Sequence, residues 1–226
     1  MNFERFEARL GYSFTNKSLL KAAMTHRSYE FEHSSEGVNN QRLEFLGDAV
    51  LGFIMGETLY SRYPKYQEGE LSRLRSRLVC EGALCQLAQK LGFDEFILMG
   101  KGEISVGGRY RAGTLADAYE AVIGAIYLDG GIDEARRFIL KHHAEFLANP
   151  DGNWLASDAK TRLQEIVQGM AVHKELRYEV LNETGPVHAP TFEVAVLLDE
   201  HEIGRGIGRS KKEAQQSAAQ DALARM

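Results

Sequence analysis

Residues 41–53 read QRLEFLGDAVLGF, and residues 114–126 read TLADAYEAVIGAI. Both stretches space their apolar residues as a helix does, and both interrupt them with paired acids. Glu44 and Asp48 stand four residues apart, Asp117 and Glu120 three apart, so each helix shows its pair on one face. The neighbours Leu46, Ala49, Val50, Ala118, Ala121 and Val122 have core character. Like charges at these spacings repel by about 0.2–0.5 kcal/mol when exposed and by more when buried. Packed face to face, the two helices would gather four carboxylates. Such a cluster calls for a hard divalent cation with oxygen ligands and retained waters. Mg²⁺ or Mn²⁺ held there would activate water and offset charge on a phosphoryl group. The competing arrangement leaves the two pairs on separate solvated faces that never meet. Gly47 and Gly52 each weaken a helix by about 1 kcal/mol relative to Ala, which suggests close approach by a second helix or a ligand.

Outward from these segments, residues 1–148 read as mostly helical. Apolar residues recur at helical spacing over Leu19–Leu20 to Met24, Arg42 to Tyr60, Glu70 to Leu91, Thr114 to Leu128 and Asp133 to Leu147. Asp129–Gly130–Gly131 reads as a stop with a restart at Asp133, and the glycine-rich run Met99 to Gly113 as an irregular connection. Glu68 and Glu70 decorate the start of a helix whose sequence then supplies Arg73, Arg75 and Arg77. With Arg109 and Arg111, these arginines serve either solubility or a phosphate channel beside the acids. His26 reads as structural, and no Cys/His set suggests zinc. His142 and His143 read as polar positions on a late helix face. The chain has no phosphate-loop, nucleophile-elbow or zinc-protease motif.

Asn149–Pro150–Asp151–Gly152–Asn153 is rich in turn formers, so residues 149–154 are taken as a linker. Residues 155–226 then follow the order α-β-β-β-α. A helix spans Asp158 to Gly169, capped by Ser157 or Asp158. Strands follow at Arg177 to Leu181, Thr191 to Leu198 and His201 to Arg209. An Ala-rich helix from Ser210 to Ala224 closes the unit, with Ser210 as its N-cap. Phe192, Val194, Val196 and Leu198 share one face of the middle strand. Thr161, Gln164 and Glu165 share the exposed side of the first helix, His188 sits in the GPVHAP turn, and Lys211 and Lys212 open the last helix. Three such patches on one rigid unit suit successive minor grooves of an A-form duplex and the phosphates between them. A generic accessory domain with surface lysines reads equally well.

Composition sets the bounds. The 226 residues hold 27 Lys+Arg against 32 Asp+Glu, so no basic excess announces a polyanionic partner, although local clusters and bound metal decide the field where binding happens. The first residues lack the 7–15-residue apolar core of a signal peptide, and no apolar run approaches the ~20 residues that span a membrane. Cys80 and Cys85 form no CxxC and are expected as buried thiols of a reducing, cytoplasmic compartment.

The run NNQRLEFLGDAVLG resembles the signature segment of the ribonuclease III family. THRS around His26, GELSRLRSRLV and KGEISVGGRYRAGTLADAYEAVIGAIYLDGG are similar to the same family, in its usual order. KTRLQE, GPVHAPTFEVAV and GRGIGRSKKEAQQSAA resemble the double-stranded-RNA-binding domain that follows in bacterial members. The resemblance spans nearly the whole chain. It implies an all-α, dimeric catalytic domain with the segment around Phe45 at the subunit interface, followed by a small α+β domain. It implies Mg²⁺ at Glu44, Asp117 and Glu120, with Asp48 and Glu120 catalytic, and Glu68 as a further acid for substrate or a second metal. RNA contacts fall on Thr161, Gln164, Glu165, His188, Lys211 and Lys212. The implied activity is cleavage of double-stranded RNA to 5′-phosphate and 3′-hydroxyl ends with a two-nucleotide 3′ overhang, in rRNA, mRNA and tRNA processing, without membrane or organic cofactor. Two positions depart from the family pattern: Gln41 stands where many members have Glu, and Gln215 where many have Lys. An RNA-binding regulator that only dimerises would leave RNA intact in Mg²⁺. A hydrolase of small phosphates would ignore duplex length.

Overall fold

Helix α4 (Gln41–Arg62) and helix α8 (Ala112–His142) cross at the centre of the first unit. The computed structural model describes residues 3–33, 38–149, 159–168, 174–186 and 190–226, and divides into units Met1–Gly152 and Asn153–Met226. The first is helical. Around the central pair stand α1 (Phe3–Leu10), α2 (Lys17–Ala23), α3 (Arg27–Glu32), α5 (Glu68–Leu78), α6 (Glu81–Leu91), α7 (Lys101–Ser105) and α9 (Ala144–Ala148). Leu43, Val50, Leu51, Ile54, Met55 and Leu59 of α4 pack inward. The first half of α8 is buried on nearly all sides, from Leu115 to Ile126, as its apolar composition demands.

The crossing is close because two glycines face it. A Cβ on Gly47 would lie 1.8 Å from the Glu120 carbonyl oxygen, and one on Gly124 would lie 2.3 Å from the Leu43 carbonyl oxygen. No side chain fits between those backbones. Gly52 has open space instead, so only the first of the two predicted glycines mediates helix approach.

Several sequence expectations are corrected. The predicted helix Glu70–Leu91 is two helices, interrupted where Cys80 adopts extended φ/ψ as N-cap of α6. The stop and restart read at Asp129–Gly130–Gly131 is present: Gly131, at φ 82° and ψ −175°, leaves helical geometry and divides α8 into two helical segments that meet at a kink. The Asp129 carboxylate accepts bonds from Tyr12 OH (2.8 Å), Thr15 N–H (2.9 Å) and Asn16 N–H (2.7 Å), tying the chain before α2 to the kink. The run Met99–Gly113 contains α7 and a 3₁₀ turn at Gly108–Tyr110. Cys85 is buried as expected, whereas Cys80 is half-exposed, its Sγ directed at the Arg77 carbonyl at 3.4 Å. His143 is fully buried against Tyr119 and Phe146, and burial lowers its pKa to about 4.

The second unit has α10 (Ala159–Gln168), the antiparallel sheet β1 (Leu176–Thr184), β2 (Thr191–Leu198), β3 (His201–Gly208), and α11 (Lys211–Arg225). The caps expected at Ser157 or Asp158 lie outside the described residues. Ser210 caps α11 as read, its Oγ accepting the Glu213 N–H at 3.1 Å. Phe192, Val194 and Val196 bury one face of β2 against Leu163 and the alanines 214, 218, 219 and 222. Gly206 lets α11 lie on the sheet, since a Cβ there would be 2.1 Å from the Ala218 nitrogen.

Candidate metal centre and nucleic-acid interface

The crossing of α4 and α8 places the acids. Glu44 lies in the first turn of α4, and Asp117 and Glu120 sit early in α8, each N-terminal to its own helix's glycine in the Gly47–Gly124 contact. One carboxylate oxygen each from Glu44, Asp117 and Glu120 lies within 4.8 Å of the other two. All three side chains are half-buried. Asp48 is exposed and outside this close trio, yet it is the strongest charged influence on Glu120. Thus the structure brings together three of the four predicted acids and leaves the fourth at their edge. Glu68 is not among them. It is the first residue of α5, exposed, and accepts a 2.7 Å bond from Ser72 Oγ.

Burial and mutual repulsion dominate the electrostatics. Desolvation lifts the Glu120 carboxyl to about pH 8, and the charges of Asp48, Glu44 and Asp117 add to the effect. Glu44 is raised by burial, then by Asp117 and Asp48. Asp117 is raised by burial and by Glu81, with His26 opposing. Among the described residues, the charged groups that act on Glu120 are the carboxylates of Asp48, Glu44 and Asp117. Three hard oxygen donors within reach of one point fit Mg²⁺ or Mn²⁺ in size and chemistry.

The acids open into a cleft of about 1260 Å³. Glu44 and Asp117 line it together with His26, Arg27, Glu103, Arg111 and the start of α4, including Gln41. Backbone bonds shape that wall: His26 N–H donates to the Leu98 carbonyl (2.9 Å), Leu98 N–H to Met24 (2.8 Å) and Asn40 N–H to Thr25 (2.9 Å). Sequence reasoning set His26 aside, and it missed Glu81 and Glu103. No local spacing signals them, because they reach the site through contacts between distant segments.

On the second unit, Lys211 and Lys212 are exposed at the start of α11, Lys211 Nζ standing 5.7 Å from the Phe192 ring centroid. Gln164 is exposed on α10, and Thr161 and Glu165 belong to the same helix. His188 lies outside the described residues. Gln215 accepts a 2.8 Å bond from Lys160 Nζ, which also sits 4.8 Å from the Tyr178 ring centroid. A cation therefore does stand beside the position where the family pattern has its third lysine.

Residues 16–146 match the Ribonuclease-III-like family, and residues 159–226 match the double-stranded RNA binding motif. The chain belongs to the ribonuclease III family. Ribonuclease 3 of Carboxydothermus hydrogenoformans is 47% identical, over 98% of this chain and 94% of that protein. Ribonuclease 3 of Caldanaerobacter subterraneus subsp. tengcongensis is 44% identical, over 97% and 96%. The first unit is similar to the nuclease domain of ribonuclease III from Campylobacter jejuni, at 42% identity and TM-score 0.60, covering 64% of this chain and 97% of that one. Membership of this family makes the chain an endoribonuclease, here joined to a domain of the double-stranded-RNA-binding type. Among the described residues, no helix is long and apolar enough to cross a membrane.

Proposed function

We propose that this chain is a Mg²⁺-dependent endoribonuclease specific for double-stranded RNA, acting in the cytoplasm as a homodimer. The convergence of Glu44, Asp117 and Glu120 from two helices onto one point carries the reading. These three would hold the ion, with Mn²⁺ able to substitute. The chemistry the ion supplies when bound is that of a Lewis acid: it acidifies water and offsets charge building on the phosphoryl oxygens. Glu120 is raised by burial and by its acidic neighbours, so it holds a proton readily until a cation relieves that repulsion. Asp48, at the solvent edge of the trio, accepts a hydrogen bond from the incoming water and orients it. The products are 5′-phosphate and 3′-hydroxyl ends.

Opposite strands of a duplex require two centres, which a two-fold dimer supplies. Phe45, Phe53 and Tyr60 stand 81%, 59% and 74% exposed along α4, an apolar stripe suited to a second copy. One Campylobacter jejuni nuclease-domain structure concerns flexibility in a region involved in dimer formation, which supports the same assignment here. Gln164, Lys211 and Lys212, with Thr161, Glu165 and His188, are assigned to the duplex. Glu68 is assigned to substrate or a second ion. The second domain, residues 155–226 after a linker at 149–154, raises local RNA concentration without touching the reacting bond.

The test uses end-labelled duplex and single-stranded RNA with wild type and Glu120→Gln, in Mg²⁺ or chelator. Duplex-specific products that need metal and drop by about 10²–10³-fold in the variant are expected. Retention of intact duplex by both proteins would instead favour a binding regulator.

A further inference from the structure

The cleft holds more charge than the metal trio uses. Of its acids, Glu30 accepts from Asn39 Nδ2, Glu32 accepts the Lys101 N–H at 3.1 Å, and Glu103 pairs with Arg111. Only Glu44 and Asp117 of the lining acids belong to the trio. The lining cations are less committed. Arg27 is exposed and has no partner among the described residues. Arg111 precedes α8, and its pairing with Glu103 is more than half exposed at the arginine, an environment in which ion pairs are weak and exchange readily. Of the five arginines that the sequence offered for a phosphate channel, Arg111 lines this cleft, whereas Arg73, Arg75, Arg77 and Arg109 do not.

His26 lies within electrostatic reach of both. Its Nδ1 accepts the Ser28 N–H at 3.2 Å and stands 2.8 Å from Ser28 Oγ, which itself accepts the Gly100 N–H at 3.0 Å. With Nδ1 used as an acceptor, the neutral ring carries its proton on Nε2. That nitrogen has no partner among the described residues.

We propose that Arg27, Arg111 and the Nε2–H of His26 form the contact between the catalytic cleft and the RNA backbone, Arg111 exchanging Glu103 for a phosphate. This inference rests on the endoribonuclease reading of the acids in the same cleft. A guanidinium is planar, always charged and matched to two phosphate oxygens, and the histidine donor suits a phosphate or ribose oxygen. The cleft would otherwise face an incoming polyanion with acids alone.

Binding of fluorescent duplex RNA to the full chain is measured against salt in Mg²⁺, in a Glu120→Gln background that prevents cleavage. Arg27→Ala and Arg111→Ala should each lower the log–log salt slope by about one unit per subunit, and the double variant by about two. With Glu120 intact, the same changes should raise half-saturating RNA by roughly 3–10-fold at unchanged kcat. His26→Asn keeps a cap for Ser28 but loses the Nε2–H, so binding should weaken several-fold at unchanged Tm. Glu103→Gln leaves both arginines in place and should tighten binding at low salt. Unchanged slopes and half-saturation in the double variant at parental Tm would overturn the proposal. If the arginine variants fail to fold, unchanged or weaker binding by Glu103→Gln would do so. A wild type that leaves duplex RNA uncut would instead defeat the endoribonuclease reading, with the salt slopes still deciding this contact.

Discussion

The two units each rest on a glycine-mediated close approach, and the two approaches do opposite things. In the second unit, Gly206 admits α11 against the sheet, and what meets there is alanine and valine. Packing and electrostatics agree. In the first unit, Gly47 and Gly124 admit α8 against α4, and the same closeness drives three carboxyls together in half-buried surroundings. Packing there works against electrostatics, and a divalent cation would restore the balance. A region whose packing opposes its own charges marks where chemistry is done; a region in which they agree marks a scaffold.

The sharpest way to break the contrast is to add one methyl group on each side. Gly47→Ala must move the Glu120 backbone and should cost about 3 kcal/mol or more, abolishing cleavage and metal-induced stabilisation while leaving RNA binding by the second domain. Gly206→Ala should cost a similar amount but lower the transition of the second unit, with cleavage surviving at elevated RNA. Calorimetry with and without Mg²⁺ separates the two, and a shared transition in both variants would refute domain-wise packing.

Acid should act on the first unit through His143. Its folded pKa is about 4, below the ordinary 6.5, so the stability tied to its neutral form is complete above pH 6.5 and is lost as pH falls toward 4. The loss amounts to roughly 3 kcal/mol, and His143→Leu should flatten it in urea titrations between those limits. Glu120 runs the other way. Its raised pKa makes metal-free stability complete below about pH 4.5 and progressively lost as pH rises through 8. Solvent reaches this carboxyl, so the discounted effect is about 1–2 kcal/mol. In chelator at pH 8, Glu120→Gln should therefore melt higher than wild type, and a lower Tm would contradict the electrostatic account. The smallest effect belongs to the second unit: Lys160→Ala removes the ammonium over Tyr178 and should cost about 0.5–1 kcal/mol, without touching the first transition.

Much of this is legible in the sequence. The alternation Phe192, Val194, Val196 and the Ser210 cap follow from local rules, and the observed elements match them closely. Local rules failed where tertiary contact overrode them. The break at Gly131 follows local rules, but nothing local shows that Tyr12 and two amides hold the Asp129 carboxylate beside it. His143 looks like a surface residue on a helix end, yet an aromatic surround buries it. His26 looked merely structural because its place in the cleft depends on bonds to Leu98, far along the chain.

The linear code alone determined which residues could do the work: two acid pairs at helical spacing, and Gly47 inside the first of the two helices. It could not determine which acids meet, because helical periodicity specifies a face and not the partner that covers it. Only the folded chain decided that, by letting α4 and α8 touch at backbone distance, so that Glu44, Asp117 and Glu120 share one point while Asp48 remains at its rim.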